Sequence, residues 1–333
     1  TTVVSGDPTN DATPTLSGTA EANSVVKIFD GGTQIAVVTA DGTGAWTFTP
    51  DTALGEGPHA FTVTATDPQG NVSQVSNGWN VVVDLTAPTV PTLDTVNDNA
   101  PGGVTGNLTS GQVTNDTTPT IGGTGQPGST IHIMNNGTQI GLATVDGSGN
   151  WTFTPSTPLS DGNYLLRAYA TDATGNASAN SSVFAFTVDA AGPAAPLVSS
   201  VIDDVGPGTG PLTSGQTTND NQPTLTGTGA VGDTISVYNN GTLLGSAVVG
   251  NTGTWSFTPP SPLAEGTHVL TIRETDPAGN QSGPSAGFTV VVDSVSATPV
   301  ITNVTDNVGN AATTVVSGGL TNDATPTLTG TAD

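Results

Sequence analysis

The chain has 333 residues, of which 34% are apolar and 9% charged, and its 27 acidic residues face only Lys27, Arg167 and Arg273, for a formal net charge of −24. That balance excludes nucleic acid and anionic lipid as electrostatic partners and makes a divalent cation the natural counter-charge. There is no cysteine, so disulfides and thiolate metal sites are absent, and the sparse charge without long runs argues against a self-repelling disordered chain.

One module is copied along the sequence. TPTLSGTA at Thr13 returns as TPTIGGTG at Thr118, QPTLTGTG at Gln222 and TPTLTGTA at Thr325. The Asn-Asp pairs Asn10/Asp11, Asn115/Asp116, Asn219/Asp220 and Asn322/Asp323 set steps of 105, 104 and 103 residues. Solenoid repeats run about 20 to 50 residues, whereas about 100 residues make a self-sufficient β-sandwich. The expected domains are 1–88, lacking its first strand, then 89–193 and 194–297, then a truncated fourth repeat at 298–333. The piece reads as cut from a longer array.

Within the second module, short alternating runs predict seven strands: Pro91 to Val96, Thr118 to Gly123, Thr130 to Met134, Gln139 to Val145, Trp151 to Thr154, Tyr164 to Ala170 and Val183 to Val188. No helical periodicity competes. Asn136-Gly137 and Asn240-Gly241 suit type I′ hairpin turns, which need φ > 0 at both central residues, and Asp146-Gly147 opens the next turn. Trp46/Phe48, Trp151/Phe153 and Trp255/Phe257 stand two apart on one strand face, as core anchors do. Trp79 has no evident counterpart and reads as a surface or edge residue. The fold class is all-β: tandem immunoglobulin-like seven-stranded antiparallel sandwiches strung as an extended rod.

Walking the strands up and down gathers Asp98, Asp116, Asp161 and Asp189 at one pole of the second module and places TDATGN, Thr171 to Asn176, at the other. The equivalents of that loop are TDPQGN, with Asp67 and Asn71, and TDPAGN, with Asp276 and Asn280. End-to-end stacking then brings Asp84 toward Asp172 and Asn176, and Asp189 toward Asp276 and Asn280. Asp203, Asp204, Asp220, Asp293 and Asp306 repeat the acidic pole further along. Such oxygen sets suit calcium, a hard ion taking six to eight oxygen ligands. Turn chemistry alone also favours Asp, Asn and Gly in loops. His59, His132 and His268 lack metal-ligand spacing.

No GxSxG elbow, HExxH helix, Walker loop or dinucleotide fingerprint appears, so an enzyme is not expected. The periodic TND..PT[LI].GT, G.W.FTP, TD..GN and VD..AP segments, the last as Val83 to Pro88, resemble the tandem bacterial immunoglobulin-like domains of giant non-fimbrial adhesins and biofilm-associated proteins. The resemblance covers the whole chain. It implies type I export, an extracellular or cell-surface place, and a stalk that carries a distal region for a host-cell or biofilm ligand. It also implies calcium near domain junctions, carried onto Asp84, Asp172 and Asn176, onto Asp189, Asp276 and Asn280, and onto Asp98, Asp203 and Asp306. The expected function is a non-enzymatic extender whose partners are calcium and neighbouring repeats, without nucleic acid or membrane insertion. The alternatives are a glycan- or protein-binding adhesin module and accessory domains of a secreted polysaccharide-degrading enzyme.

Overall fold

The computed structural model describes residues 3–309 and 312–332, and every regular element among them is a strand. The first module holds β1 (Pro8–Thr9), β2 (Leu16–Thr19), β3 (Val25–Asp30), β4 (Thr33–Thr39), β5 (Ala45–Phe48), β6 (Gly57–Thr66) and β7 (Trp79–Val83). The second holds β8 (Thr95–Asp98), β9 (Gly106–Asn107), β10 (Val113–Thr114), β11 (Thr120–Thr124), β12 (Thr130–Asn135), β13 (Thr138–Thr144), β14 (Asn150–Phe153), β15 (Gly162–Thr171) and β16 (Phe184–Val188). The third repeats that set as β17 (Ser200–Asp203), β18 (Gly210–Pro211), β19 (Thr217–Thr218), β20 (Thr224–Thr228), β21 (Thr234–Asn239), β22 (Thr242–Val248), β23 (Thr254–Phe257), β24 (Gly266–Thr275) and β25 (Phe288–Val292). After these come β26 (Val300–Asp306), β27 (Thr313–Thr314) and β28 (Thr327–Thr331). The chain divides into two compact units between Ala190 and Ala191.

Each full module is a sandwich of two sheets, β10-β16-β15-β12-β13 over β14-β11-β8-β9 in the second and β19-β25-β24-β21-β22 over β18-β17-β20-β23 in the third. Alternation does the sorting, because successive side chains point to opposite faces. Ile131, Ile133, Leu166 and Ala168 from one sheet meet Val96, Ile121 and Trp151 from the other in a single core. Each fully buried Ile or Leu contributes about 1.5–3 kcal/mol of transfer free energy. Trp46, Trp151 and Trp255 are 8%, 2% and 4% exposed, which confirms them as core anchors. The glycine of the repeated motif makes room for that ring: a Cβ on Gly18 would lie 2.6 Å from the Trp46 indole, and one on Gly227 2.7 Å from that of Trp255.

All seven predicted strands of the second module are present, shifted at several ends: the first is Thr95–Asp98 and the sixth is longer, Gly162–Thr171. Two elements escaped the pattern. β9 and β10 have two residues each, too few to show a period, and β10 runs parallel to β16, Val113 opposite Thr187 and Thr114 opposite Val188. The same parallel pairing joins β1 to β7 and β19 to β25, so the sandwich is not purely antiparallel. The chain crosses from one sheet to the other between β9 and β10. Asn136 and Gly137 adopt φ of 49° and 85°, and Asn240 and Gly241 48° and 82°, as the hairpin turns require.

The expectation that Trp79 lacks a counterpart is corrected by register. Trp79 stands opposite Phe61 as Phe184 stands opposite Leu166 and Phe288 opposite Leu270. Sequence comparison missed the match because, after the TDxxGN motif, the loops before β7, β16 and β25 share only their serines. Those serines bond the preceding strand: Ser178 and Ser181 hydroxyls accept from Ala170 N and Ala168 N, as Ser73 and Ser76 do from Ala65 N and Val63 N. Trp79 is 46% exposed.

Candidate functional site

Two kinds of acidic site recur. In the first loop of the second module, Asp98 Oδ1 accepts from Ala100 N at 2.9 Å and Oδ2 from the Thr114 hydroxyl at 2.6 Å. Asp116 accepts from Asn99 N at 3.0 Å and Thr118 N at 2.8 Å, and its own N–H donates to Thr114 Oγ1. Asp203, Thr218 and Asp220 reproduce the set, with Val205 N on Asp203, and Asp204 N and Gln222 N on Asp220. Asp306, Thr321 and Asp323 do so again. Asp98, Asp116, Asp203 and Asp220 are 1 to 4% exposed, so these carboxylates brace the crossover between sheets from inside the module. Backbone N–H donors and one shared threonine satisfy their buried oxygens.

The TDxxGN loop is the second site. Asp172 Oδ1 accepts from Thr174 N, Gly175 N and Asn176 N at 2.8 to 2.9 Å, and Oδ2 accepts from Asn176 Nδ2 at 2.9 Å. Burial pushes the Asp172 carboxyl up, but the Thr174 hydroxyl, the Asn176 amide and backbone N–H groups outweigh it, so its pKa lies below the ordinary carboxylate value. Asp67 is lowered likewise by the side chain and N–H of Asn71. Asp276 receives Asn280 N and Nδ2, both at 2.9 Å.

Within the first unit the expected meeting of Asp84 with the next module's loop occurs, through the backbone. Asn176 Nδ2 donates to Asp84 O at 2.9 Å, while Asp84 Oδ1 accepts from Thr86 N at 3.2 Å. Asp84, Asp189 and Asp293 share one structural place: their N–H groups bond Thr9 O, Thr114 O and Thr218 O, each at 2.9 Å. They close the last strand against the parallel element. Among the described residues no three Asp, Glu, His or Cys side chains converge as a metal cluster.

Calcium fit can be judged at Asn176. Its amide nitrogen lies 2.9 Å from Asp84 O, 2.9 Å from Asp172 Oδ2 and 2.8 Å from Thr174 Oγ1, so three oxygens already converge on one donor. With the amide swung away, a cation in the donor's place would face Asp84 O, Asp172 Oδ2 and Thr174 Oγ1, three oxygens of the kind calcium takes. The buried Asp98/Asp116 brace fits less well, because backbone and hydroxyl donors already occupy its oxygens.

Sequence reasoning placed Asp161 at the acidic pole but missed the repeated set to which it belongs. An acidic residue at the corner before β6, β15 and β24 holds the exit of each module: Glu56 Oε1 accepts from the Thr86 hydroxyl at 2.6 Å, Asp161 Oδ1 from Ala190 N at 2.8 Å, and Glu265 from Ser294 N and its hydroxyl. The available signal was the repeated acidic-Gly pair at Glu56-Gly57, Asp161-Gly162 and Glu265-Gly266.

This architecture defines a tandem array of immunoglobulin-like sandwiches. The chain belongs to the bacterial Ig-like domain family, whose pattern matches residues 2–85, 89–190 and 198–294. It is similar to the fibronectin(III)-like modules of Clostridium thermocellum CbhA, at 18% identity and TM-score 0.35, over 56% of this chain and 90% of that one. It is also similar to the BSP domain of a biofilm associated protein, at 17% identity and TM-score 0.22, over 88% of this chain and 62% of that one. A third likeness is to SGBP-B of the Bacteroides ovatus mixed-linkage glucan utilization locus, solved with a mixed-linkage heptasaccharide, at 17% identity and TM-score 0.18, over 91% and 68% of the two chains. A search of curated proteins finds no match. Among the described residues no helix is long and apolar enough to cross a membrane.

Proposed function

We propose that this chain is a non-enzymatic extender segment of a bacterial cell-surface or secreted adhesin, exported by a type I system, whose junctions are stiffened by calcium. The observation that carries the reading is the Asp84–Asn176 contact, in which the last strand of one module is gripped by a loop of the next. The oxygens around the Asn176 amide are the proposed junction ligands, and the loop of Asp276 and Asn280 is the corresponding candidate in the third module. Asp67 and Asn71 would meet a preceding module in the same way. The framework and matched loop lengths that the modules share support a spacer, since recognition normally resides in long variable loops. Extracellular sites bind calcium at about 0.1 to 1 mM, so ~10 mM calcium over a ~0.1 mM site adds about 2.7 kcal/mol. Calorimetry and small-angle scattering in calcium and in EDTA test this: a higher melting temperature and a narrower spread of dimensions are expected with calcium. Identical curves in both conditions would leave calcium without a role in the stalk.

A second reading, a glycan- or protein-binding module, is favoured by one feature. His132 and Tyr169 stack at 4.4 Å and 4° on the outward face of β12 and β15, and neither Lys27/Thr64 nor Ser236/Arg273 repeats the pair at the matching positions. Glycan-array binding abolished by Tyr169→Ala would favour this reading over the spacer.

A further inference from the structure

The corner that holds each exit is itself fixed by one side chain, and the three modules use different chemistry for it. His59, Tyr164 and His268 are equivalent, and each bonds the carbonyl four residues back: His59 Nε2 to Gly55 O at 2.8 Å, Tyr164 OH to Ser160 O at 2.9 Å, His268 Nε2 to Ala264 O at 2.7 Å. The second ring nitrogen meets opposite partners. His59 Nδ1 lies 2.6 Å from Asp30 Oδ2, whereas His268 Nδ1 lies 2.9 Å from the Asn239 amide nitrogen.

A carbonyl and a carboxylate are both pure acceptors, so His59 satisfies the two only with a proton on each nitrogen. Asp30 is held in place by Ala60 N on its other oxygen, at 3.1 Å, and the His59 ring lies along Phe61. Gly55 immediately precedes Glu56, the residue that receives the Thr86 hydroxyl at the module exit. Gly57 then pairs with Val83, one residue before Asp84.

We propose that His59 is a proton-operated clasp: as the imidazolium it pins the Gly55–Gly57 corner between Asp30 and the Glu56–Thr86 bond, and on losing a proton it loosens the exit of the first module. The charged groups around it are the Asp30 carboxylate from β3, Glu56 on the same corner, and Asp84 and Asp7 at the ends of β7 and β1. All are acidic. Lys27, the one basic residue of this module, lies on the exposed face of β3. Burial lowers the pKa of His59, but the hydrogen bond and charge of Asp30 and the Gly55 carbonyl raise it more, so that it sits above the ordinary value. The sign follows: the clasp is complete below the unfolded-state pKa, near ~6.5, and is lost as pH rises through the higher folded value. Tyr164 makes the same corner bond with a phenol hydroxyl.

The test uses the whole chain in EDTA, which keeps it independent of calcium. Histidine-labelled NMR gives the midpoint of His59, and hydrogen exchange corrected for intrinsic base catalysis gives the protection of the segment around Thr86. In the wild type that protection should fall about fivefold across the His59 midpoint, the change one ordinary hydrogen bond carries. His59→Tyr, which copies the corner of the second module, should fold and show no step. Asp30→Asn, which copies the third module's chemistry, should lower the midpoint and flatten the step. Protection that ignores the His59 midpoint, or that steps equally in His59→Tyr, overturns the proposal, as does an unshifted midpoint in Asp30→Asn.

Discussion

Replacing Asn176 by alanine should separate the junction from the fold of either module. The side chain donates to Asp84 O, Asp172 Oδ2 and Thr174 Oγ1, and only the first of these leaves its own module. Losing that bond removes about 1 kcal/mol from the junction, roughly a fivefold gain for the open arrangement. The loop itself survives, because Asp172 Oδ1 keeps three backbone donors, from Thr174, Gly175 and Asn176. A cysteine-free chain can be labelled at two introduced cysteines, and Thr33 and Thr138, both exposed at hairpin tips, place one probe in each module. Spin-label distance distributions should broaden in Asn176→Ala, with melting of both modules unchanged. Asp172→Ala should do more, since it strips the acceptor from the whole turn and loosens loop and junction together. If the Asn176→Ala distribution matches the wild type in both calcium and EDTA, the Asp84–Asn176 contact carries no stiffness and the junction reading fails.

Trp255→Ala should cost ~3 to 5 kcal/mol through lost burial and a cavity, confined to the third module, and Gly227→Ala about 1 to 3 kcal/mol through collision with the same ring; denaturant melts check both. If Gly227→Ala is neutral, the space assigned to the motif glycine is wrong. Acid should unfasten the TDATGN loop: with the Asp172 pKa depressed, its stabilisation is present above the unfolded value near ~3.9 and lost as pH falls through the lower folded one. Asp172→Asn, which cannot titrate, should remove that component from the pH dependence of melting, and an unchanged profile would refute the assignment.

The repeat period, the two-residue alternation and the Trp-x-Phe pairs were enough to settle that each module is an all-β sandwich with those rings inside, because burial of alternate side chains is a local pattern that any strand must write into its sequence. The Asn-Gly turns were equally legible, since a positive φ restricts the residue type at the turn itself. What tertiary structure alone decided are relations between distant positions. β10 is too short to carry a period, and its parallel pairing with β16 depends on where the chain crosses between sheets. The aspartates looked alike as residue types, yet Asp98 and Asp116 fold inward to brace that crossover while Asp172 organises a loop that reaches Asp84 through Asn176. The partner of His59 likewise lies 29 residues away on another strand. Asp30 and Asn239 differ by one group in the sequence, and only the fold, by setting each against a ring nitrogen, gives that difference a structural consequence.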